Sequence, residues 1–199
     1  MTLPWSQAAA NNAAPILDVL RHHFVSPGTV AEVGAGTGQH AAAFSQALPH
    51  LIWQPLDVAA NLNMINARNQ HDHGRARPAI AYDAADHWPA DLKVDYLFSA
   101  NTFHIMSAAL VERCITHMGA ALTGSGPVVI YGPFNIDGQF TSPSNAAFHQ
   151  HLQARDPGMG IRDKAWVCGL FHAAGLTLID DVQMPANNRC LVFGRPTPL

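Results

Sequence analysis

Continuous apolar runs alternate along the chain with segments in which apolar residues recur every three or four positions. The runs predict buried strands, and the spaced segments predict amphipathic helices packed on a sheet. Predicted strands cover residues 30–33, 51–58, 78–83, 94–101, 127–134, 176–184 and 189–195. Predicted helices cover residues 15–24, 39–48, 61–74, 107–122, 146–154 and 164–174. This alternation predicts an α/β fold with a seven-stranded, mostly parallel sheet and helices on both faces.

The last two predicted strands are joined by a short turn. Pro185, Ala186, Asn187 and Asn188 separate them, and these are mostly turn-forming residues. They predict a hairpin, so the final strand should be antiparallel. If the strand before the turn is parallel to the rest of the sheet, the turn lies at the carboxyl ends of the strands.

Two segments lie outside the strand and helix alternation. Residues 134–163 are rich in Gly, Pro, Ser and Asn, and a segment of this length predicts a lid or a linker. The short helix within it favours a lid. Residues 1–27 precede the first strand and predict an added N-terminal helix that caps the domain, with Pro15 in its first turn.

Composition limits the class of protein. The chain has 199 residues, of which 48% are hydrophobic and 13% charged, so we predict a single domain over residues 1–199. The formal charge of −3 and the lack of a Lys/Arg cluster disfavour nucleic acid and membrane surfaces as partners. No signal peptide or run of ~20 apolar residues is evident, which predicts a cytoplasmic protein with a small-molecule partner. The oligomeric state is not indicated.

Histidine and cysteine residues do not predict a metal site. The pairs in residues 71–73 and 149–151 have close spacing but no evident third ligand. The three cysteines are far apart and are interpreted as reduced, mostly buried thiols.

The sequence VAEVGAGTGQH, residues 30–40, predicts a strand, a tight glycine turn and the start of a helix. The nicotinamide fingerprint is G-x-G-x-x-G, whereas here the third glycine comes one residue early. Glu32 lies two residues before the first glycine. This variant resembles motif I of the class I S-adenosylmethionine (SAM) methyltransferases. In that family the turn passes under the amino-acid part of the cofactor and the acid orients that end, although a purely structural turn is an alternative.

Polar residues end the next three predicted strands. Asp57 follows Gly38 by 19 positions, and a carboxylate there can accept two hydrogen bonds from a ribose diol. Asp83 ends the third strand, where the resemblance implies an oxygen that accepts from the adenine amino group and a following N–H, of Ala84, that donates to the ring. Asn101 ends the fourth strand, three residues before His104. All these positions should share the carboxyl edge of the sheet.

Several further motifs make the resemblance narrower. They are GTGQH, WQPLD, NTFHI, YGPF, SPSNAAF, ARDPGMGIRD and MPANNRCLVF. Together they resemble the domain of unknown function 938 family, also called methyltransferase-like 26, over nearly the whole chain. The resemblance implies a class I methyltransferase fold with SAM as cofactor and S-adenosylhomocysteine (SAH) as product, and the family name itself leaves the substrate open. One departure is Asn101-Thr102-Phe103-His104, where Asn-Met-Ile-His is expected in relatives.

These considerations yield a set of candidate site residues. The cofactor candidates are Asn12, Glu32, Gly34, Ala35, Gly36, Thr37, Gly38, His40, Asp57, Val58, Asp83, Ala84 and Asn101. The catalytic candidates are His104 and Tyr131. The substrate candidates are His104, Asn145, Arg155, Arg162, Asn187 and Asn188.

Alternatives stay open for several of these side chains. His104 could act as a base, orient the acceptor, or be a hydrogen-bonded structural histidine. Tyr131 could equally be a core tyrosine, and Asn187 and Asn188 ordinary turn asparagines. The arginines, with Arg189, could bind an acidic substrate group or pair with lid aspartates such as Asp156 and Asp163.

The sequence predicts a SAM-dependent methyltransferase. The reaction is an in-line displacement onto a small-molecule acceptor held under the 134–163 lid and the 185–188 turn. Two alternatives are a SAM or SAH binding protein without methyl transfer, and a SAM-dependent transfer or cyclisation other than methylation. A nicotinamide-dependent oxidoreductase is disfavoured by the early third glycine and the terminal hairpin.

Overall fold

A computed structural model describes residues 3–196, so residues 1, 2 and 197–199 of the predicted domain lie outside the described residues. The helices are α1 Gln7–His23, α2 Gln39–Ala47, α3 Leu62–His71, α4 Ala108–Ala121, α5 Pro143–Arg155 and α6 Lys164–Ala173. The strands are β1 Gly28–Val33, β2 Leu51–Asp57, β3 Ile80–Ala81, β4 Tyr96–Ala100, β5 Val128–Asn135, β6 Arg162–Asp163, β7 Thr177–Met184 and β8 Asn188–Gly194. Short 3₁₀ turns cover Ala59–Asn61 and Pro185–Asn187.

The main path of the sheet has seven strands in the order β3-β2-β1-β4-β5-β8-β7. The pairs among β1 to β5 are parallel, whereas β8 is antiparallel to both β5 and β7. The predicted α/β class and the antiparallel last strand are therefore confirmed. The two-residue β6 pairs with the end of β5, so the segment 134–163, for which a lid was the favoured prediction, adds a strand that the sequence pattern did not predict.

Apolar side chains alternate between the two faces of the sheet. Val30 packs with α1 and α2 on one face, whereas Ala31 and Val33 pack with α4 and α6 on the other. A strand buried on both faces has a continuous apolar run, which is the pattern seen in the sequence. Strand order reverses between β1 and β4, and ligands of open α/β sheets bind beside such a reversal, at the carboxyl ends of the strands.

The N-terminal helix starts earlier than predicted. α1 begins at Gln7 rather than at Pro15, and the hydroxyl of Ser6 accepts a hydrogen bond of 3.2 Å from the amide of Ala9. Pro15 lies inside the helix, where its ring removes one backbone donor. The cap and the packing of Ile16 and Leu20, both fully buried, offset that loss.

The lid helix is longer than predicted, and the third strand is shorter. α5 starts at Pro143 because the Ser142 hydroxyl caps it and accepts a hydrogen bond of 3.1 Å from the amide of Asn145. β3 has only two residues, Ile80 and Ala81, and the amide of Ala79 just before it donates to the side chain of Asn66 at 2.8 Å.

The turn between β7 and β8 lies at the carboxyl ends of the parallel strands, since Asn188 pairs with Pro133 near the end of β5. Ala186 and Asn187 have φ values of 57° and 58°, in the left-handed region. Turns of that hand match the twist of antiparallel strands. Among residues 3–196, none of the helices combines the length and the apolar character needed to cross a bilayer.

Candidate ligand-binding cleft

A cleft of about 700 Å³ opens at the carboxyl ends of β1, β2 and β4. Ten of the predicted cofactor residues line it, namely Gly34, Ala35, Gly36, Thr37, His40, Asp57, Val58, Asp83, Ala84 and Asn101. Its size lies within the range of small-molecule sites. Asn12, Glu32 and Gly38 lie outside the lining.

The glycine turn has the geometry that only glycine tolerates easily. Gly34, Gly36 and Gly38 have φ values of 77°, 56° and 74°. A Cβ on Gly34 would lie 2.4 Å from the hydroxyl oxygen of Thr102, whereas a Cβ on Gly36 would meet no atom within 4 Å. Gly34 is therefore required by packing, and Gly36 leaves room in the cleft.

Gly38 serves the helices rather than the cleft. It precedes α2, and a Cβ there would lie 3.0 Å from the Cα of Ile65 in α3. The amide of Gly38 donates to the carbonyl of Ala35 at 2.9 Å, which closes the turn. This close approach of two helices explains why the third glycine does not line the cleft.

Asp57 at the end of β2 is buried and lines the cleft. Its Oδ2 accepts from the amide of Gly36 at 2.6 Å, and its Oδ1 accepts from Val58 N at 2.7 Å and Asn61 Nδ2 at 2.8 Å. The carboxylate thus joins the glycine turn to the end of β2. Since each carboxylate oxygen can accept about two hydrogen bonds, Oδ2 keeps one acceptor site.

Asp83 and Ala84 line the cleft on the β3 side. Asp83 is exposed, and its Oδ1 accepts from the amide of Ala85 at 2.9 Å, whereas Ala84 is buried. The two predicted adenine contacts therefore share one cleft with Asp57.

Glu32 lies behind the glycine turn, in the interior. It is 2% exposed, and its Oε2 accepts a hydrogen bond of 2.6 Å from the indole Nε1 of Trp53. Burial raises the pKa of the Glu32 carboxyl to about 8, with the charge of Asp57 adding to the effect and the Trp53 bond opposing it. Glu32 is therefore mostly protonated at pH 7.

Asn12 and Tyr131 lie one step behind the cleft wall. His40 lines the cleft, and its Nε2 is 2.7 Å from the Oδ1 of Asn12. Tyr131 is a buried residue of β5, and burial raises the pKa of its hydroxyl, an effect that nearby Asn12 partly offsets. Burial lowers the pKa of His40 to about 4, so its ring is neutral near pH 7. The His40–Asn12 pair connects the cleft to α1 through polar side chains.

His104 is buried outside the lining of the cleft. Its ring meets Phe148 of α5 edge-on, with 5.1 Å between ring centroids, and its carbonyl accepts from the amide of Gly160 at 2.9 Å. Burial lowers the pKa of His104 to about 4, and the positive charge of Arg162 contributes. Burial also raises the pKa of Tyr131, the other catalytic candidate.

The asparagines predicted to contact substrate lie beside the hairpin, outside the cleft lining. Asn145 Nδ2 donates to Thr141 Oγ1 at 2.9 Å and to the carbonyl of Asn187 at 3.4 Å. The side chain of Asn188 donates to the carbonyls of Pro185 and Ala186. These bonds hold the start of α5 against the turn.

The arginines of the lid do not pair with the aspartates considered above. Arg162 donates to three backbone carbonyls, and Arg155 is exposed at the end of α5. Asp156 accepts from Gly158 N at 2.7 Å, and Asp163 caps α6. Arg189 instead pairs with Asp181, with 2.5 Å between Nε and Oδ1.

Several lining residues were not predicted. They are Ser6, Ala9, Val33, Asn61, Tyr82, Ala100, Thr102, Ile105, Met106, Ser107, Leu110 and Asp156. Ser6 is the first residue of the Ala-rich stretch SQAAANNAA and is a capping signal. From it, a start of α1 close to the cleft could have been predicted. The lid residue Asp156 had no such signal, since its position depends on the folding of the lid.

The charged side chains that line the cleft are all acidic. They are Asp57, Asp83 and Asp156, and the described lining contains no Lys or Arg. Phosphate sites use cations, bidentate arginines or amide nests. This cleft therefore suits a ligand with positive charge better than one with several phosphates. Among residues 3–196, no group of three or more His, Cys, Asp or Glu side chains could hold a metal.

The family model described as "Protein of unknown function (DUF938)" matches residues 3–195. An O-methyltransferase family protein from Burkholderia thailandensis has a similar structure, with a TM-score of 0.83 and 18% identity over 96% of this chain and 58% of that chain. An O-methyltransferase family 2 protein from Planctomyces limnophilus, in complex with apigenin, has a TM-score of 0.79 and 17% identity over 95% of this chain and 60% of that chain. Human N-acetylserotonin methyltransferase, in complex with SAM, has a TM-score of 0.80 and 12% identity over 96% of this chain and 53% of that chain.

These likenesses establish a fold shared with methyltransferases. The chain spans between half and three fifths of the length of those three proteins.

Proposed function

The chain belongs to the family described as protein of unknown function (DUF938), and from its fold and cleft we propose that it is a SAM-dependent methyltransferase with a small-molecule acceptor. The observation that carries the proposal is the composition of the cleft. It combines an open glycine turn, a strand-end carboxylate at Asp57 and acidic side chains without a cation. SAM contains a ribose diol, a sulfonium and an ammonium group, and no phosphate.

We propose that residues at neighbouring strand ends bind neighbouring parts of SAM. Asp57 would accept from one ribose hydroxyl at the free acceptor site of Oδ2, and Asp83 with Ala84 would bind the adenine edge. The turn Gly34–Thr37 would hold the amino-acid end. Glu32, which lies behind the turn, would orient the amino-acid end. Asn101 would lie beside the reacting end of the ligand.

SAM supplies an electrophilic methyl group, so much of the rate can come from positioning of an acceptor in line with the methyl–sulfur bond. We propose that the acceptor binds under the segment 134–163 and the turn 185–188, near Asn145, Asn187 and Asn188. A histidine with a pKa of about 4 is a poor proton acceptor at pH 7. His104 is therefore proposed to position the loop after β4 rather than to remove a proton.

Two other functions of the same cleft are distinguishable. A SAM or SAH binding protein would bind the ligand without turnover, and a transfer or cyclisation other than methylation would consume SAM without a methylated acceptor. Small-molecule chemistry is favoured because the similar structures include proteins named for O-methyl transfer and one complex with apigenin. A nicotinamide oxidoreductase is disfavoured because the third glycine of the turn comes one residue early and because the last strand, β8, is antiparallel to β5.

Calorimetric titration tests the ligand. We expect SAM and SAH to bind and NAD not to bind. Asp57→Asn should weaken SAM binding about a hundredfold, because it removes a charged acceptor worth roughly 1.5–3 kcal/mol and turns an amide group toward Gly36 N. Asp91→Asn, at an exposed site outside the cleft, is the matched control and should bind as the native protein does. Binding of NAD without SAM would refute the proposal.

Methyl transfer is tested separately. The protein is incubated with methyl-labelled SAM and an extract of cells from which its gene has been deleted, so that unmethylated acceptor has accumulated. We expect label in a small-molecule fraction, and Asp57→Asn should reduce it. SAM binding without labelled product would favour the binding protein.

A further inference from the structure

Arg162 connects the lid segment to the loop that follows β4. Its Nε donates to the carbonyl of Phe103 at 3.2 Å, and its Nη2 donates to the carbonyls of Met106 and Gly158, the latter at 2.7 Å. One guanidinium thus binds backbone oxygens of two segments that are more than fifty residues apart in sequence.

Both segments contribute to the cleft. Residues Thr102, Ile105 and Met106 line it from the loop after β4, and Asp156 lines it from the lid. A second link joins the same segments, because the amide of Gly160 donates to the carbonyl of His104 at 2.9 Å. The position of this cleft wall therefore depends on how the lid is held.

Partial burial of the Arg162 guanidinium costs free energy, which is a reason to look for a function of this side chain. Arg162 is partly buried, and among residues 3–196 no carboxylate forms an ion pair with it. A partly desolvated charge that is compensated only by neutral carbonyls is less favourable than one with a carboxylate partner. The planar fork of arginine can bind three carbonyls at once, whereas the single ammonium of lysine cannot match this geometry.

We propose that Arg162 is a positioning residue that fixes the lid, residues 134–163, against the loop after β4. Through that loop it couples the closed position of the lid, under which the acceptor is proposed to bind, to occupancy of the cleft, in which SAM is proposed to bind. The inference rests on the proposed function for its ligand. Met106 lines the cleft and its carbonyl binds Arg162, so a ligand that orders Ile105 and Met106 also orders one of the carbonyls that Arg162 binds. By linkage, a closed lid strengthens cofactor binding to the same extent.

The test compares Arg162→Ala and Arg162→Lys with Arg195→Ala. Arg195 is a matched control because its guanidinium also binds two backbone carbonyls, of Gly124 and Leu122, at the opposite edge of the sheet. SAH affinity is measured by calorimetry, well below the melting temperature of each variant. We expect Arg162→Ala to weaken SAH binding about tenfold, because coupling between two sites usually changes affinity by roughly 5–150-fold. Arg162→Lys should be weakened also, and Arg195→Ala should be unchanged.

Two further measurements separate positioning from general stability. Guanidinium chloride at roughly 10–50 mM, far below denaturing concentrations, should restore SAH affinity to Arg162→Ala, and urea at the same concentration should not. Hydrogen exchange without any ligand should be faster in residues 102–107 and 156–160 of the Arg162 variants and unchanged there in Arg195→Ala. If Arg162→Ala folds poorly, Arg162→Lys serves for both affinity and exchange.

The outcomes are distinct. SAH affinity of both Arg162 variants within twofold of the native value would overturn the inference, as would unchanged exchange in these segments. Absence of SAM and SAH binding by the native protein would instead overturn the proposed function, and the exchange measurement would still decide whether Arg162 holds the lid.

Discussion

Glu32→Gln should make the free energy of unfolding less dependent on pH. The native protein should lose about 5 kcal/mol of this free energy through Glu32 as the pH rises from 4.5 to above 8, and the variant should not. In the unfolded chain the carboxyl has the ordinary pKa of 4.5, and in the folded protein burial raises this pKa to about 8. Between these values the folded state keeps a proton that the unfolded state releases. The stabilisation is fully present below pH 4.5 and is lost as the pH rises through 8.

Glutamine has the same shape as a protonated glutamate, and its carbonyl can accept the hydrogen bond from Trp53 Nε1. The variant should match the native protein at pH 4.5 within about 1 kcal/mol, and should exceed it by about 3 kcal/mol at pH 7. Urea unfolding from pH 4.5 to 8.5 measures both curves.

The difference between the two curves is the appropriate quantity, because other groups titrate in acid. Burial lowers the pKa of His40 and of His104 to about 4, so their contribution is present above pH 6.5 and is lost as the pH falls through 4. It cancels in the difference. Asp18→Asn, at a side chain that is 77% exposed, is the control and should shift stability by less than about 0.5 kcal/mol. A difference that does not change with pH would contradict a protonated Glu32.

Gly34→Ala should destabilise the protein by about 3 kcal/mol and abolish measurable SAM binding. The new methyl group would lie 2.4 Å from Thr102 Oγ1, and the left-handed φ of 77° adds strain. Thr102 cannot move freely, since the single proton of its hydroxyl is shared between the carbonyls of Ala100, at 3.1 Å, and Val33, at 3.4 Å. Thermal or urea unfolding and calorimetry measure the two effects.

Two other glycines separate strain from contact. Gly124 has nearly the same φ, 79°, and a Cβ there would meet no atom within 4 Å, so Gly124→Ala should cost only about 1 kcal/mol and leave SAM binding intact. Gly36→Ala has equally open space but projects at the cleft, so it should lose affinity out of proportion to stability. Equal losses for Gly34→Ala and Gly124→Ala would show that packing against Thr102 is unimportant.

The alternation of elements, the glycine turn, Asp57 and the terminal hairpin could be predicted because each depends on local chemistry. Strand and helix periodicities reflect side-chain direction, and turns require particular φ values. Parallel strands bring their carboxyl ends to one edge, so polar residues at the ends of β2, β3 and β4 share a cleft whatever the details of packing. Ten of the thirteen cofactor candidates line it for that reason.

Other features depend on contacts between residues far apart in sequence. α1 reaches the cleft because Ser6 caps it and Gln39 binds the Ser6 backbone, with 2.6 Å from Ser6 N to Gln39 Oε1. A local interpretation of Pro15 could not find this.

The sequence by itself determined the α/β fold and the edge of the sheet at which the cleft opens, because backbone geometry and periodicity encode both. Only the tertiary structure decided that burial raises the pKa of Glu32, that His104 lies outside the cleft lining, and that Arg162 binds backbone carbonyls instead of an acidic partner. The pKa of a side chain depends on its burial, and its partners depend on the packing of distant segments. Neither property is present until the chain is folded.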